Sequence, residues 1–465
     1  MFYLTAESFK NNILLPLAVA PKKDIYETKE KILKEVKQKN VKFIEMQFSD
    51  ILGTVKSVSI PTTRVENVID DGVFLDGSSI LGYATIEESD MRANPILDSF
   101  QIYPWIDSNV KTARFMCTIS DHSGNRFKGD PRWALEKMVA KVKEMGYDFN
   151  VGPEFEFFMF PIENGVPVPV PADAGGYFDL MPQDKGEIAR KEMVLAFDEL
   201  GYDMEAAHHE VAPGQLEIDL RYNDALTMAD RMLTLKYGVK CIAQKYGMYA
   251  SFMPKPLFGQ NGSGMHVHQS LSNKDKNAFY DENGKWQLSD MAINYMGGLL
   301  AHARENCAIL ASYVNSYKRL VPGYEAPCYI SWANMNRSAL LRVPAGRGMR
   351  TRVEQRNPDP AGNPYLQFAV MLAAGLDGIK NKLSPGDPTE KDIYHMSAEE
   401  RRKNKIVDLP MNLGDALDIM AESKVMKEAL GEHIFNHYLH IKRMEWDEYR
   451  KSVTDWEIAR YFKVL

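Results

Sequence analysis

Apolar positions along the chain repeat at a spacing of two before residue 130 and mostly at three to four after it. An amphipathic helical pattern covers ETKEKILKEVKQK at 27–39. VKFIEMQFSD and TVKSVSI then alternate apolar and polar side chains and are joined by ILG, which predicts a hairpin. RVENVIDDG reads as a short helix, FLDGSSILGY as turn, and FQIYPWI and ARFMCTIS as further strands. A small strand-rich unit therefore closes near Asp121, with DHSGNRFKGDP as the boundary loop.

PRWALEKMVAKVKEMGY opens a different regime, with Pro131 suited to a first helical turn. Helical patterns follow at 187–201, 224–247, 289–320, 364–382, 412–430 and 433–462. Strand patterns lie between them at 151–160, 204–211, 215–222, 248–254, 264–271, 328–333, 338–343 and 350–356. The two types do not alternate strictly, so the fold class expected is α+β with a largely antiparallel sheet. No internal repeat or low-complexity segment is present.

Composition narrows the class. The 465 residues are 45% hydrophobic and 26% charged, with a formal net charge of −7, as in ordinary globular chains. No basic tract supports nucleic-acid binding. No apolar run approaches the roughly 20 residues a membrane span needs. The opening MFYLTAESFKNNILLPLAVAP contains Glu7 and Lys10 and lacks the order of a signal peptide, so it reads as an extension. Cys117, Cys241, Cys307 and Cys328 are scattered without a CxxC pair. That suits reduced thiols in a cytoplasmic protein and argues against a zinc–thiolate site.

The segment VGPEFEFFMF at 151–160 places Glu154 and Glu156 two apart in an otherwise burial-prone strand. At that spacing both carboxylates share a face and Phe155 and Phe157 share the other. A solvated acidic edge would explain one such strand. The pattern recurs, however. AAHHEVAPGQLEIDL supplies Glu210 and Glu217 with Asp219 near, NGSGMHVHQS puts His266 and His268 on one face, and RTRVEQR does the same for Arg350, Arg352, Glu354 and Arg356. Five glutamates and one imidazole suit hard divalent ions such as magnesium or manganese. Arginines beside an acid cluster suggest phosphoryl transfer. No P-loop or GxGxxG motif occurs.

FLDGSSI, GPEFEFF, HHEVAPGQLE, NGSGMHVHQSL, LVPGYEAP, NRSALLRVP and RVEQRNPDPAGNPYL, in this order and spacing, resemble type I glutamine synthetases of bacteria and archaea. The resemblance runs from about residue 28 to the end of the chain. It implies an N-terminal extension at 1–27, a small β-grasp-like domain at 28–125, and a catalytic domain at 126–465. The last would hold a curved antiparallel sheet flanked by helices, with a C-terminal helical strap. The implied reaction is ATP-dependent ligation of ammonia to glutamate through γ-glutamyl phosphate, with two divalent ions per site.

Carried over by motif, Glu156, Glu210 and Glu217 match the ligands of one ion, and Glu154, His266 and Glu354 those of the ion nearer the phosphates. His268, Ser270, Arg342 and Arg352 match nucleotide-binding positions. Arg319, Asn261 and Gly262 match glutamate-binding positions, and Arg356 a contact to glutamate and phosphate. Arg337 matches the arginine on the transferring phosphoryl group, and Glu325 the acid of a mobile flap. Asp76 and Ser79, with Tyr177 and Glu210, match the ammonium site. In the family the aspartate comes from a neighbouring subunit of two stacked hexamers, so the resemblance implies a dodecamer.

Two positions depart from the family pattern. Tyr394 in KDIYHMSAEE lies near a tyrosine that some members adenylylate, but the usual surrounding sequence is missing. This places the chain in the subdivision without that modification. Members of that subdivision often carry an arginine where this chain has Thr85, so glutamine feedback is expected to be weak. Another effector, such as 2-oxoglutarate, or a nitrogen-regulatory protein would then act. Rival readings are a ligase for another amine, a non-catalytic relative, and a metal-dependent hydrolase. The retained ammonium-site residues, the six metal ligands and the arginine set respectively argue against them.

Overall fold

The computed structural model describes residues 22–83, 89–106, 108–274, 276–334, 336–391, 393–404 and 406–465. The expected N-terminal extension, up to residue 21, and Thr85 lie outside the described residues.

The small N-terminal unit is a six-stranded sheet behind the helix Lys22–Gln38. Phe43–Ser49 and Val55–Pro61 form the antiparallel hairpin that their alternation predicts. Phe43–Ser49 also runs parallel to Thr112–Ser120. Ile44, Met46, Phe115 and Ile119 fill this unit's own core. The strand Val73–Asp76 ends in a short turn where Asp76 caps Ser78.

The large unit is built on an eleven-stranded sheet. Its spine is the 16-residue strand Asp148–Glu163, flanked by Met265–Asn273 on one side and Gln215–Leu220 on the other. Every pairing is antiparallel except that between Trp332–Ala333 and Leu341–Arg342. One face carries the core: Phe155, Phe157, Leu216, Ile218 and Val267 are buried against the helices behind. Among those helices, Asp290–Ala301 and Pro364–Asn381 cross with their backbones touching. A Cβ on Gly298 would stand 2.1 Å from the Ala374 carbonyl oxygen, and one on Gly378 2.2 Å from that of Asn294. Only glycine permits that approach. Asn363, capping the second helix, also donates to the Asp50 carbonyl at 3.0 Å and so ties the two units together.

Three long helical patterns are broken in the structure. The stretch 289–320 forms Asp290–Ala301 and then two short turns, Cys307–Leu310 and Ser316–Arg319. The break follows His302, whose ring is held by Asp377 at 2.9 Å and Glu305 at 3.0 Å. Tertiary anchors override propensity there. The stretch 412–430 divides at Ser423, which caps Lys424–Leu430. The stretch 433–462 divides at Thr454, which forms a capping box with Glu457 at the start of Asp455–Tyr461. In FQIYPWI only Gln101–Ile102 is strand. Arg350 stands in the helical turn Gly348–Arg350, so the strand face expected from 350 begins only at Val353.

Candidate active site

Strand register assembles the polar face of the large sheet. His208 pairs with Glu217 and Glu217 with Glu156, forming one row. Asp219, Glu154 and His266 form the next. His268, Glu354 and Arg342 form a third. A cavity of about 1020 Å³ opens over these rows. It brings together fourteen of the nineteen residues expected from sequence: Glu154, Glu156, Tyr177, Glu210, Glu217, Asn261, Gly262, His266, Arg319, Glu325, Arg337, Arg342, Glu354 and Arg356. His268 and Arg352 are not among its lining residues; Arg352 Nε donates to His268 Nδ1 at 3.2 Å, and His268 Nε2 reaches the lining residue Glu154 at 2.8 Å. Ser270 follows on the same strand face as His268. Asp76 and Ser79 line no part of the cavity; they sit exposed on the N-terminal unit and are bonded to each other at 2.9 Å.

Ligand atoms of Glu154, His266 and Glu354 lie within 4.8 Å of one another. Glu154 is bridged by His266 Nδ1 and His268 Nε2, each at 2.8 Å. The bond from Arg352 requires a bare His268 Nδ1, so the proton of that ring is on Nε2 and is donated to Glu154. Burial alone would raise the Glu154 pKa, but the two imidazoles hold it well below the usual carboxylate range. Burial likewise opposes ionisation of Glu354, and His268 and Arg356 prevail and keep it low. Arg342 and Arg356 both donate to Glu354, the latter at 3.1 Å.

The second acid group behaves differently. Glu156 is buried, accepts from Gln215 Nε2 at 2.8 Å and from the Gly264 amide at 2.9 Å, and is pushed up to about 8 by burial and by Glu210. Burial and the charge of Glu156 drive Glu217 strongly upward. Burial, and then the charge of Glu154, lift Asp219 to about 6. Three acids that resist ionisation together form a pocket in want of positive charge. Carboxylate and imidazole donors without thiolate fit a hard dication.

Grouping here departs from the expected set. Glu217 clusters with His208 and Asp219 within 4.8 Å, while Glu210 lies 3.9 Å from His208 and is the charge that acts most on Glu156. His208 has no signal in the sequence, because only the register with Glu217 brings it in. Asp219, noted beside Glu217 in the sequence but given no role there, follows from the alternation of its strand. Gln215, which fastens Glu156, is another residue the sequence did not mark. A third cluster, Asp173, Asp184 and His209, is satisfied internally. Asp184 pairs with Arg190 at 2.5 Å, and Asp173 accepts from three backbone amides and from His209.

Arginines are interleaved with the acids of the cavity. Arg319 is buried, and its guanidinium donates to the carbonyls of Arg356, Asn357 and Pro358 at 3.0 to 3.2 Å. Burial pulls its pKa down, though Glu156 opposes the shift. Arg337 is exposed at the rim and bonds to Tyr177. Glu325, with φ at +57°, accepts from Asn261 Nδ2 at 3.0 Å. Tyr394 lines the cavity as well and donates to the Ala326 carbonyl at 2.7 Å.

Comparison with known proteins identifies this architecture. The glutamine synthetase catalytic-domain model matches residues 128–461, and the glutamine synthetase β-grasp-domain model matches 40–122. The chain belongs to the glutamine synthetase family. It is 52% identical over 439 residues to the glutamine synthetase of Methanosarcina mazei, covering 94% of this chain and 98% of that one. The enzyme of Clostridium saccharobutylicum is 52% identical, covering 93% and 98%, and that of Staphylococcus epidermidis 50%, covering 94% and 98%. Among solved structures, GmaS in complex with ADP superposes with a TM-score of 0.85 at 30% identity, covering 93% of this chain and 99% of that one. Among the described residues, no helix is long and apolar enough to cross a membrane.

Proposed function

We infer that this chain is a glutamate–ammonia ligase that joins ammonia to L-glutamate at the expense of ATP, through γ-glutamyl phosphate. One observation carries the reading: a single cavity has an acid-and-imidazole floor, arginines interleaved with it and an acid-bearing loop at its rim.

Glu154, His266 and Glu354 would hold one magnesium or manganese ion, and Glu156, Glu217 and Glu210 a second, with Asp219 and His208 in support. Ions bound there would neutralise triphosphate charge and that of the leaving ADP. Arg319, Asn261 and Gly262 hold glutamate with its γ-carboxylate toward the phosphate. His268, Ser270, Arg342 and Arg352 hold the nucleotide. Arg337 and Arg356 stabilise the charge on the phosphoryl group as it moves. Glu325 closes over the acyl phosphate and keeps water away. Asp76 and Ser79 of a neighbouring copy complete the ammonium site with Tyr177 and Glu210. Hydrogen bonds from Ser78 and Ser79 keep Asp76 ionised, so it attracts the cation and takes its proton as ammonia attacks.

This requires an oligomer, for which two stacked hexamers in the cytoplasm are the proposed form. Weak feedback by glutamine and activation by 2-oxoglutarate are the proposed regulation. The decisive assay supplies ATP, magnesium, glutamate and either ammonium or a panel of amines. Phosphate and glutamine formed in equal amounts with ammonium support the reading. Turnover only with another amine, or phosphate release without glutamate, refutes it.

A further inference from the structure

Three consecutive residues of the rim loop, Tyr324, Glu325 and Ala326, are each gripped by a different part of the chain. Lys255 Nζ lies 3.6 Å from the centre of the Tyr324 ring, close for a cation–π pair. Asn261 donates to Glu325 at 3.0 Å, and Tyr394 Oη donates to the Ala326 carbonyl at 2.7 Å. Gly323 takes φ +93° freely, but Glu325 has φ +57°, and a left-handed glutamate carries strain that persists only where its surroundings impose it.

Lys255 is itself firmly planted. Its backbone amide donates to Asn315 Oδ1 at 2.7 Å, and Asn315 Nδ2 donates back to its carbonyl at 3.1 Å. Its ammonium also donates to the Gln260 carbonyl, one residue before Asn261. Lys255 therefore braces both the loop carrying Asn261 and the loop carrying Glu325. It lines no part of the cavity.

We propose that Lys255 and Tyr394 are positioning residues that latch the loop over the acyl phosphate and so couple ATP cleavage to amide formation. This rests on the ligase reading above. With the loop unlatched, water reaches the intermediate. Water oxygen bonds to the acyl carbon, the carbon–oxygen bond to phosphate breaks, and inorganic phosphate leaves with regeneration of glutamate. The net result is hydrolysis of ATP.

The test compares Lys255→Met, which keeps the aliphatic stem, and Tyr394→Phe, which removes one oxygen, with the unaltered enzyme in its assembled form. Phosphate and glutamine are counted in the complete reaction, and phosphate alone with ammonium omitted. Each variant should raise glutamate-dependent, ammonium-free phosphate release by about five-fold or more and form more than one phosphate per glutamine. Lys255→Arg, which keeps a cation over the ring, should restore coupling, and melting curves confirm that the variants are folded. If both variants keep one phosphate per glutamine, whatever their kcat, the latch is overturned. If the unaltered enzyme makes no glutamine, the ligase reading falls and the latch with it.

Discussion

Glu154 and Glu156 stand two residues apart on one strand, face one cavity, and are driven in opposite directions as acids. Burial opposes ionisation of both. His266 and His268 overcome it at Glu154 and hold that carboxyl low, whereas Glu156, beside Glu210, is pushed up to about 8. A spacing of two residues thus yields one carboxyl that ionises readily and one that resists ionisation. The second belongs to a group that needs a cation to ionise.

This sets the sign of a pH effect. Glu156 rises from an ordinary 4.5 to about 8 on folding, and Asp219 from 3.8 to about 6. Groups raised in this way favour the folded chain fully below their ordinary values and cost stability as pH climbs through the folded ones. Glu154 and Glu354 are lowered instead, so their contribution is lost only as pH falls below the ordinary carboxylate range. Divalent ions compete with the protons of the raised group. The melting shift produced by magnesium or manganese should therefore grow between about pH 6 and about pH 8. A shift independent of pH contradicts the account.

Arg319 offers a planar fork that is already anchored to three carbonyls. Arg319→Lys keeps the charge and loses the fork. The KM for glutamate should rise by about 10- to 100-fold, the equivalent of a lost charge-assisted pair, with little change in the KM for ATP. Equal changes in both would assign Arg319 a general structural role.

Asp76 lies on the N-terminal unit, away from the cavity of its own chain. Asp76→Ala and Glu354→Gln should each abolish glutamine formation. Mixed oligomers of the two, assembled after dissociation, should regain activity, because some sites then draw an intact Asp76 from one chain and an intact Glu354 from the other. Continued inactivity of verified mixed oligomers argues against a shared site.

Gly378 meets the Asn294 carbonyl and the Gly298 backbone across the helix crossing behind the sheet. Neither neighbour is a flexible side-chain tip. Gly378→Ala should lower stability by about 1–3 kcal/mol, read as a lower denaturation midpoint. An unchanged midpoint would mean that the helices can separate at no cost.

Sequence pattern revealed the sheet because Phe155, Phe157 and the paired glutamates obey a period of two. The helix breaks at Ser423 and Thr454 carry cap signals that the reading of continuous helices passed over, and Thr454 with Glu457 is a capping box at its usual spacing. The break after His302 was not, because its cause is Asp377, 75 residues further along. Within the site, the acids were visible by alternation. His208 was hidden because strand register brings it to Glu217, whereas Gln215 shares the strand face of Glu217 and was passed over because an amide carries no charge signal. Lys255 was silent, and Tyr394 was noticed only for its nearness to a modified tyrosine, since the part both play depends on the loop they touch.

The most direct measurement is anomalous diffraction from crystals of the assembled protein grown with manganese. Two peaks are expected in each cavity, one among Glu154, His266 and Glu354 and one beside Glu156 and Glu217. Manganese absent from that floor, or held only at Asp173 and Asp184, would contradict it.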